Sequence, residues 1–272
     1  MRSEALHARY GPGAVIAGGS EGIGFAFASI LAEAGFELVL IARRRNTLNE
    51  AAKELREKYE VTVHTVPADL SDPATPVTIH DWMVRSSAGL LVYSAAFSPV
   101  GYLSELDVHQ IDAVVDVNCR GLTGTVRAVI PTLAERGLEE GVRGALILMS
   151  SIAGLRGAAG IATYAASKAF ITTFGEALWR ELLSRHVDVL TCVAGATDTP
   201  GMRSHLDASA QSRVRGLRLM RADTVAKRAL RALGRRPVTI PGMMNKLAAS
   251  GISRLLSRRS GIRLLSHFTS KA

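Results

Sequence analysis

Short apolar runs alternate with longer stretches of helical periodicity along most of the chain. Seven runs read as strands: Ala14–Ala17, Glu37–Ala42, Val61–Val66, Gly89–Tyr93, Ala145–Met149, Val187–Val193 and Val238–Ile240. They are largely unbroken apolar runs, as expected of strands covered on both faces. Between them, apolar positions at helical spacing predict helices over Ile23–Glu33, Thr47–Tyr59, Ala74–Val84, Val108–Glu135, Thr163–Ser184 and Asp223–Leu233. Strand, crossover helix and parallel strand, repeated with right-handed connections, build a doubly wound α/β sheet. Helices then lie on both faces, and a site forms at the carboxyl ends of the strands.

Composition narrows this picture. A chain of 272 residues, 47% hydrophobic and 21% charged, can bury one large core, and residues 1–272 are read as a single domain. The N-terminus lacks the apolar core of a signal peptide, and no apolar run approaches the roughly 20 residues that span a bilayer. A cytoplasmic protein is expected. Cys119 and Cys192 have no metal-ligand spacing, so free thiols and no metal site are expected.

The formal charge of +9 is uneven. Residues 201–272 hold 16 Lys or Arg against Asp207 and Asp223, whereas residues 1–200 are net acidic. Within this basic part, residues 200–222 are polar, Arg-rich and interrupted by Gly201 and Gly216, which reads as a lid over a substrate.

Directly after the first strand comes Ala17-Gly18-Gly19-Ser20-Glu21-Gly22-Ile23-Gly24, opening a helical pattern. Gly18 suits the tight turn, Gly22 lets backbone approach a pyrophosphate, and Gly24 lets the helix lie close on the strand. The helix N-terminus offers N–H groups to phosphate oxygens. In this context the turn marks a Rossmann dinucleotide site. The second strand ends at Ala42, followed by Arg43-Arg44-Arg45 where a carboxylate would hold the ribose of NAD(H). Cations there favour NADP(H) over NAD(H). Glu21 is expected to oppose the extra phosphate.

A second constellation carries chemistry. Tyr164 and Lys168 are four residues apart at the start of a helical pattern, so one turn puts phenol and ammonium on one face. The cation is expected to lower the phenol pKa. Ser151 follows the strand Ala145–Met149 at its carboxyl end, and Asn118 interrupts an apolar stretch where a polar side chain needs a partner.

With these residues the chain resembles the short-chain dehydrogenase/reductase family, in its short single-domain branch, from about Gly13 to Thr199. Gly18, Gly22, Ile23 and Gly24 fit its TGxxxGIG, with Ala17 replacing the threonine. Asn118, Ser151, Tyr164 and Lys168 fit its catalytic tetrad, and Gly195 and Thr199 its PGxxxT segment, with Ala194 in place of proline. The family's NNAG stands here as Tyr93-Ser94-Ala95-Ala96. The resemblance implies hydride transfer between a nicotinamide and a carbonyl or secondary alcohol. In it, Tyr164 moves the proton, Ser151 holds the substrate oxygen, Lys168 tunes Tyr164 and holds the ribose, and Asn118 anchors a water that resupplies protons. It makes Gly18, Ser20, Gly22, Ile23, Gly24, Asp69, Leu70, Ser94, Ala95, Gly195, Thr197 and Thr199 cofactor contacts, beside Arg43, Arg44, Tyr164 and Lys168. It also implies a homodimer or homotetramer through the helices near Val108 and Thr163.

Residues 243–272 form a basic amphipathic extension. It suits an anionic membrane surface or an acidic carrier, and equally a cover for the protein's own core or a subunit interface. Its cations lack interleaved aromatics, so no nucleic acid is expected. The leading reading is a reductase of an apolar or acyl-type small molecule. The rivals are a catalytically silent nucleotide-binding regulator and a membrane-surface reductase of lipid substrates.

Overall fold

The computed structural model describes residues 3–139, 142–204 and 219–269. Seven parallel strands form the central sheet in the order β3-β2-β1-β4-β5-β6-β9. These are β1 (Gly13–Ala17), β2 (Glu37–Ala42), β3 (Val63–Pro67), β4 (Ala88–Tyr93), β5 (Gly144–Ser151), β6 (Val187–Ala194) and β9 (Val238–Thr239). A parallel pair, β7 (Thr197–Asp198) and β8 (Met220–Arg221), stands apart from it. The order reverses between β1 and β4, which opens the crevice where such sheets bind ligands.

Each strand sends alternate residues to opposite faces, and both faces are apolar. Ala14, Ile16, Leu38 and Leu40 pack with Phe27 and Leu31 of α2 (Gly22–Glu33), Leu48 of α3 (Arg45–Tyr59) and Val225 of α9 (Ala222–Ala232). Val15, Val39, Ile41 and Leu91 pack with Ile79 of α4 (Thr75–Arg85), Val126 of α6 (Leu122–Glu139) and Ile171 of α7 (Ala162–Glu181). Covering both faces explains the unbroken apolar runs in the sequence.

Three elements differ from the sequence reading. An N-terminal helix, α1 (Ser3–Tyr10), has no counterpart in it. The third strand begins at Val63, not Val61, because Glu60 closes α3 in the left-handed region (φ 56°) and pairing starts where Leu38 meets Val63. The expected helix Val108–Glu135 is interrupted: α5 (Val108–Val115) passes into a π-helical turn, Asp116–Gly121, before α6. Of the expected lid, residues 205–218 lie outside the described residues; Pro200–Ser204 form a short helix, α8.

α1 is tied down at the amino end of the sheet, opposite the crevice. Asp188, 7% exposed, accepts hydrogen bonds from Tyr10 Oη (2.7 Å), Arg9 Nη2 (2.9 Å) and Arg143 Nη2 (2.8 Å). Burial alone would raise its pKa, but these three donors hold the carboxyl below its ordinary value. Asp188→Ala strands two guanidiniums and a phenol, and both guanidiniums are partly open to water. The expected loss is therefore about 2–3 kcal/mol at neutral pH, at the lower end for a broken buried pair. Because the folded pKa is depressed, this stabilisation is present above the ordinary Asp value and fades as pH falls through the folded one. Urea titrations of wild type and variant should thus converge in acid; a constant gap would show that Asp188 acts without its charge.

Candidate active site

The glycine-rich turn leaves β1 at the crevice. Gly18 has φ +83°, and its N–H donates to Ile41 O at the end of β2 (2.8 Å). A Cβ on Gly24 would fall 1.9 Å from Gly18 O, so only glycine lets α2 start this close to the strand. Gly22, with φ +56°, faces Thr199 from the segment after β6. The residue before α2, Glu21, supplies no side-chain cap, which leaves the first turn of the helix to an outside acceptor. Across the crevice, Ser94 and Ala95 N–H both donate to Ala17 O (2.9 and 3.0 Å), seating the segment after β4 against the turn. This uncapped cradle fits a dinucleotide pyrophosphate.

The adenosine side carries two arginines with different surroundings. Arg44 pairs with Glu21, so the carboxylate expected to oppose a phosphate is matched within the protein instead. Arg43 lies over the Phe97 ring (5.9 Å), and its charge helps lower the Asp69 pKa. Burial would raise Asp69, but Ser71 donates to it through both N–H (2.9 Å) and hydroxyl (2.7 Å) and holds it below the ordinary value. The adjoining Leu70 carbonyl lies where a Cβ on Gly121 would be 2.0 Å away, so the π turn packs directly on this segment.

Ser151 ends β5 and Lys168 and Tyr164 lie on the first turns of α7, so strand and helix bring the three together. Lys168 is 3% exposed. Its Nζ donates to Met149 O (2.9 Å) and sits 5.5 Å from the centre of the Tyr164 ring. Ser150, whose side chain points away from Ser151's, donates to Lys168 O (2.7 Å) and meets Thr172 Oγ1 (2.8 Å), which fastens this turn of the helix to the strand. The electrostatics differ from the sequence expectation. Burial raises the Tyr164 phenol above its ordinary value, with the Ser151 hydroxyl pulling the other way, while burial lowers Lys168 to about 8. Desolvation outweighs the Ser151 hydrogen bond, so Tyr164 is a neutral phenol at neutral pH.

Asn118 is wholly buried, and its amide is used within the protein. Its Oδ1 accepts from Phe97 N–H (2.8 Å), and its Nδ2 donates to Phe97 O and Ser167 Oγ (3.0 Å each). Ser167 in turn donates to Tyr164 O (2.8 Å). The side chain therefore clamps the segment after β4 to α7. These bonds, with Tyr93 Oη donating to Val117 O (2.7 Å), are satisfied where the helix widens into its π turn.

The remaining expected residues line the same edge. Ser151 is in register with Ala194, so Gly195 follows directly beside it, and Thr197 Oγ1 donates to Gly195 O (2.9 Å). Thr199 Oγ1 accepts from Met202 N–H at the start of α8 (3.1 Å). Ser20 and Ile23 lie half-buried within the turn and first turn of α2. Residues the sequence reading missed are Ser150, Ser167 and Phe97, which position the tetrad, and Asn245, whose amide presses against Gly195. The Ser150-Ser151 doublet was a visible signal for the first; the others depend on contacts distant in sequence.

Comparison with known proteins agrees with this geometry. Residues 13–210 match the short chain dehydrogenase family. A 7beta-hydroxysteroid dehydrogenase of Mediterraneibacter gnavus is 29% identical over 241 residues, 89% of this chain and 90% of that one. A solved 7beta-hydroxysteroid dehydrogenase superposes with a TM-score of 0.85 at 28% identity, covering 96% of this chain and 98% of the other. A short-chain dehydrogenase from Sphingobium yanoikuyae, solved with NADPH, gives a TM-score of 0.76 at 28% identity over 93% of this chain and 95% of its own. The doubly wound sheet with a glycine cradle at its switch point and a tyrosine-lysine pair beside β5 is thus that of a nicotinamide-dependent carbonyl and alcohol oxidoreductase, and the chain belongs to the short chain dehydrogenase family.

Proposed function

We propose that the chain is an NADP(H)-dependent carbonyl reductase of an apolar or acyl-type substrate, with Tyr164 as proton donor. The observation that carries this reading is the pairing beside β5 of Tyr164 with the buried Lys168, whose Nζ lies 5.5 Å from the centre of the phenol ring. Burial keeps the Tyr164 phenol neutral while Lys168 is still charged below about pH 8, which equips the free enzyme to give a proton. The reduced dinucleotide, when bound, supplies the hydride to the carbonyl carbon. Tyr164 then gives its proton to the carbonyl oxygen, and the Ser151 hydroxyl hydrogen-bonds that oxygen as its charge grows. Lys168 holds the ribose and stabilises the phenolate that the transfer leaves. Asn118 keeps Phe97 and the Tyr164 turn in place. The cradle residues Gly18, Ser20, Gly22, Ile23 and Gly24 hold the pyrophosphate, Asp69 and Leu70 the adenine, and Ser94, Ala95, Gly195, Thr197 and Thr199 flank the nicotinamide half.

The apolar substrate class is supported by the loop before α5. Leu103, Leu106, Ile111, Val114, Ile161 and Thr163 line a water-sized hollow, and Val100, Tyr102 and Leu103 are exposed on the loop before α5. The hollow is too small for a substrate, so it is the exposed apolar loop that favours an apolar carbonyl compound, and the relative from Mediterraneibacter gnavus is a 7beta-hydroxysteroid dehydrogenase. The exposed Val108, Val115 and Phe170, on helices α5 and α7, suit a homodimer or homotetramer.

For the cofactor, Arg43 is assigned to the 2′-phosphate, with Arg44 engaged by Glu21. Arg43→Asp should lower kcat/KM for NADPH by about ten-fold or more, the worth of a charge-assisted bond, and leave NADH less affected. An unchanged NADPH-to-NADH ratio would remove Arg43 from the site. The reaction itself is tested by following NADPH absorbance with apolar ketones, steroids and acyl thioesters. Carbonyl-dependent oxidation is expected; NADPH binding without turnover on any of them favours the silent regulator.

A further inference from the structure

The tail after β9 is attached to the rim of the candidate site on one side and open on the other. Helix α10 (Met243–Ser250) places Asn245 against Gly195. Arg156 Nη2 then donates to Ser253 O (2.9 Å). Helix α11 (Arg258–Thr269) grips the loop before α7, where Ala159 N–H donates to Ser266 Oγ (3.0 Å) and Thr269 Oγ1 donates to Ala159 O (2.7 Å). The outward side is apolar to an unusual degree for a protein surface. Met243, Met244, Leu247 and Leu255 are 68, 77, 60 and 83% exposed, with Leu264 and Phe268 beyond them. Among these stand Lys246, Arg254, Arg258, Arg259 and Arg263, and the chain has no Asp or Glu after Asp223.

We propose that residues 243–269 form a docking surface for an anionic lipid bilayer, holding the rim of the catalytic cleft against the membrane. A surface that needs both apolar burial and negative charge finds them together at a bilayer, with lipid phosphates at the level of the cations and acyl chains just beneath. The same patch of a second copy supplies only the first. An isologous contact sets a patch against itself, so the five cations would face one another across it with no carboxylate between them. The exposed Met and Leu side chains are long and flexible, which suits a deformable partner over a folded one. Because Gly195 follows the strand partner of Ser151 and Asn245 packs on it, docking brings this edge of the site to the lipid phase, where apolar carbonyl substrates concentrate.

The inference goes beyond the reductase reading, and its readout is separate from NADPH turnover in solution. The test is flotation of the full-length protein with phosphatidylcholine vesicles and with vesicles one-third phosphatidylglycerol. Binding is expected only to the anionic vesicles, with release at high salt. At roughly five-fold per cation, Arg254→Gln, Arg259→Gln and Arg263→Gln together should lower partitioning about a hundred-fold. Met244→Asp with Leu247→Asp should lower it similarly. Both variants should keep wild-type turnover of a water-soluble ketone. The proposal is overturned if wild type does not float with anionic vesicles, if it floats equally with neutral ones, or if the variants float as well as wild type. It is also overturned if Met244→Asp with Leu247→Asp lowers the oligomeric state measured by analytical ultracentrifugation without lipid, since the face is then a contact between copies. The lipid and salt dependence of wild type decides the matter even if a variant folds poorly.

Discussion

Replacing Tyr164 with Phe should leave a folded, NADPH-binding protein whose kcat for carbonyl reduction is lower by about 10²–10⁴-fold, the usual worth of a positioned general acid. The substitution removes one hydroxyl and keeps the ring that packs beside Lys168. Its cost falls on the proton: without the phenol, the oxygen that gains charge during hydride transfer keeps only the Ser151 hydroxyl as a protein donor. Because burial already holds Tyr164 neutral, the loss is that of a ready donor and should appear across the neutral range. NADPH fluorescence titration should give a Kd close to wild type, since the glycine cradle and Arg43 lie elsewhere. Under single-turnover conditions the decay of NADPH absorbance should slow by the same factor as kcat, placing the loss on chemistry. A kcat within ten-fold of wild type would mean that another acid serves and that the tyrosine-lysine pair is structural.

The sheet and the cradle were readable in the sequence because local rules dictate them. Strands buried on both faces must be apolar throughout, and a turn whose added Cβ atoms would strike backbone must be glycine at Gly18 and Gly24. The four-residue spacing of Tyr164 and Lys168 follows from helix geometry alone. What the sequence hid lies in contacts made across long stretches of chain. The π turn depends on Asn118 reaching Phe97 and Ser167, on Tyr93 reaching Val117, and on Gly121 meeting Leu70. The pairing of Glu21 with Arg44 turned an expected opponent of phosphate into a neutralised one, and Asp188 gathers Tyr10 and Arg9 from the other end of the chain. The order of pKa effects was also hidden: spacing places an ammonium near a phenol, but only the depth of burial decides that desolvation prevails there.

For wild type, kcat/KM for carbonyl reduction should be level through neutral pH and fall as pH rises past about 8, where Lys168 loses its proton. Burial lowers this lysine because one backbone acceptor, Met149 O, replaces a full hydration shell. The direction follows: charged below about 8, Lys168 can stabilise the phenolate that Tyr164 becomes on giving up its proton; neutral above it, Lys168 cannot. Lys168→Met keeps the buried volume and removes the cation. Its kcat should be about 10²-fold lower or more, as for loss of one electrostatic stabiliser, and its profile should lack the limb near pH 8. Stability should move the opposite way. The folded state binds this proton more weakly than the unfolded chain, so wild type gains stability as pH rises from about 8 toward the ordinary lysine value, a gain the Met variant lacks. Denaturation series across that window and kinetic profiles on the same samples therefore test one protonation twice. If activity stays level well above pH 8, or if the Met variant retains the limb, the charge of Lys168 is not what supports the proton transfer from Tyr164.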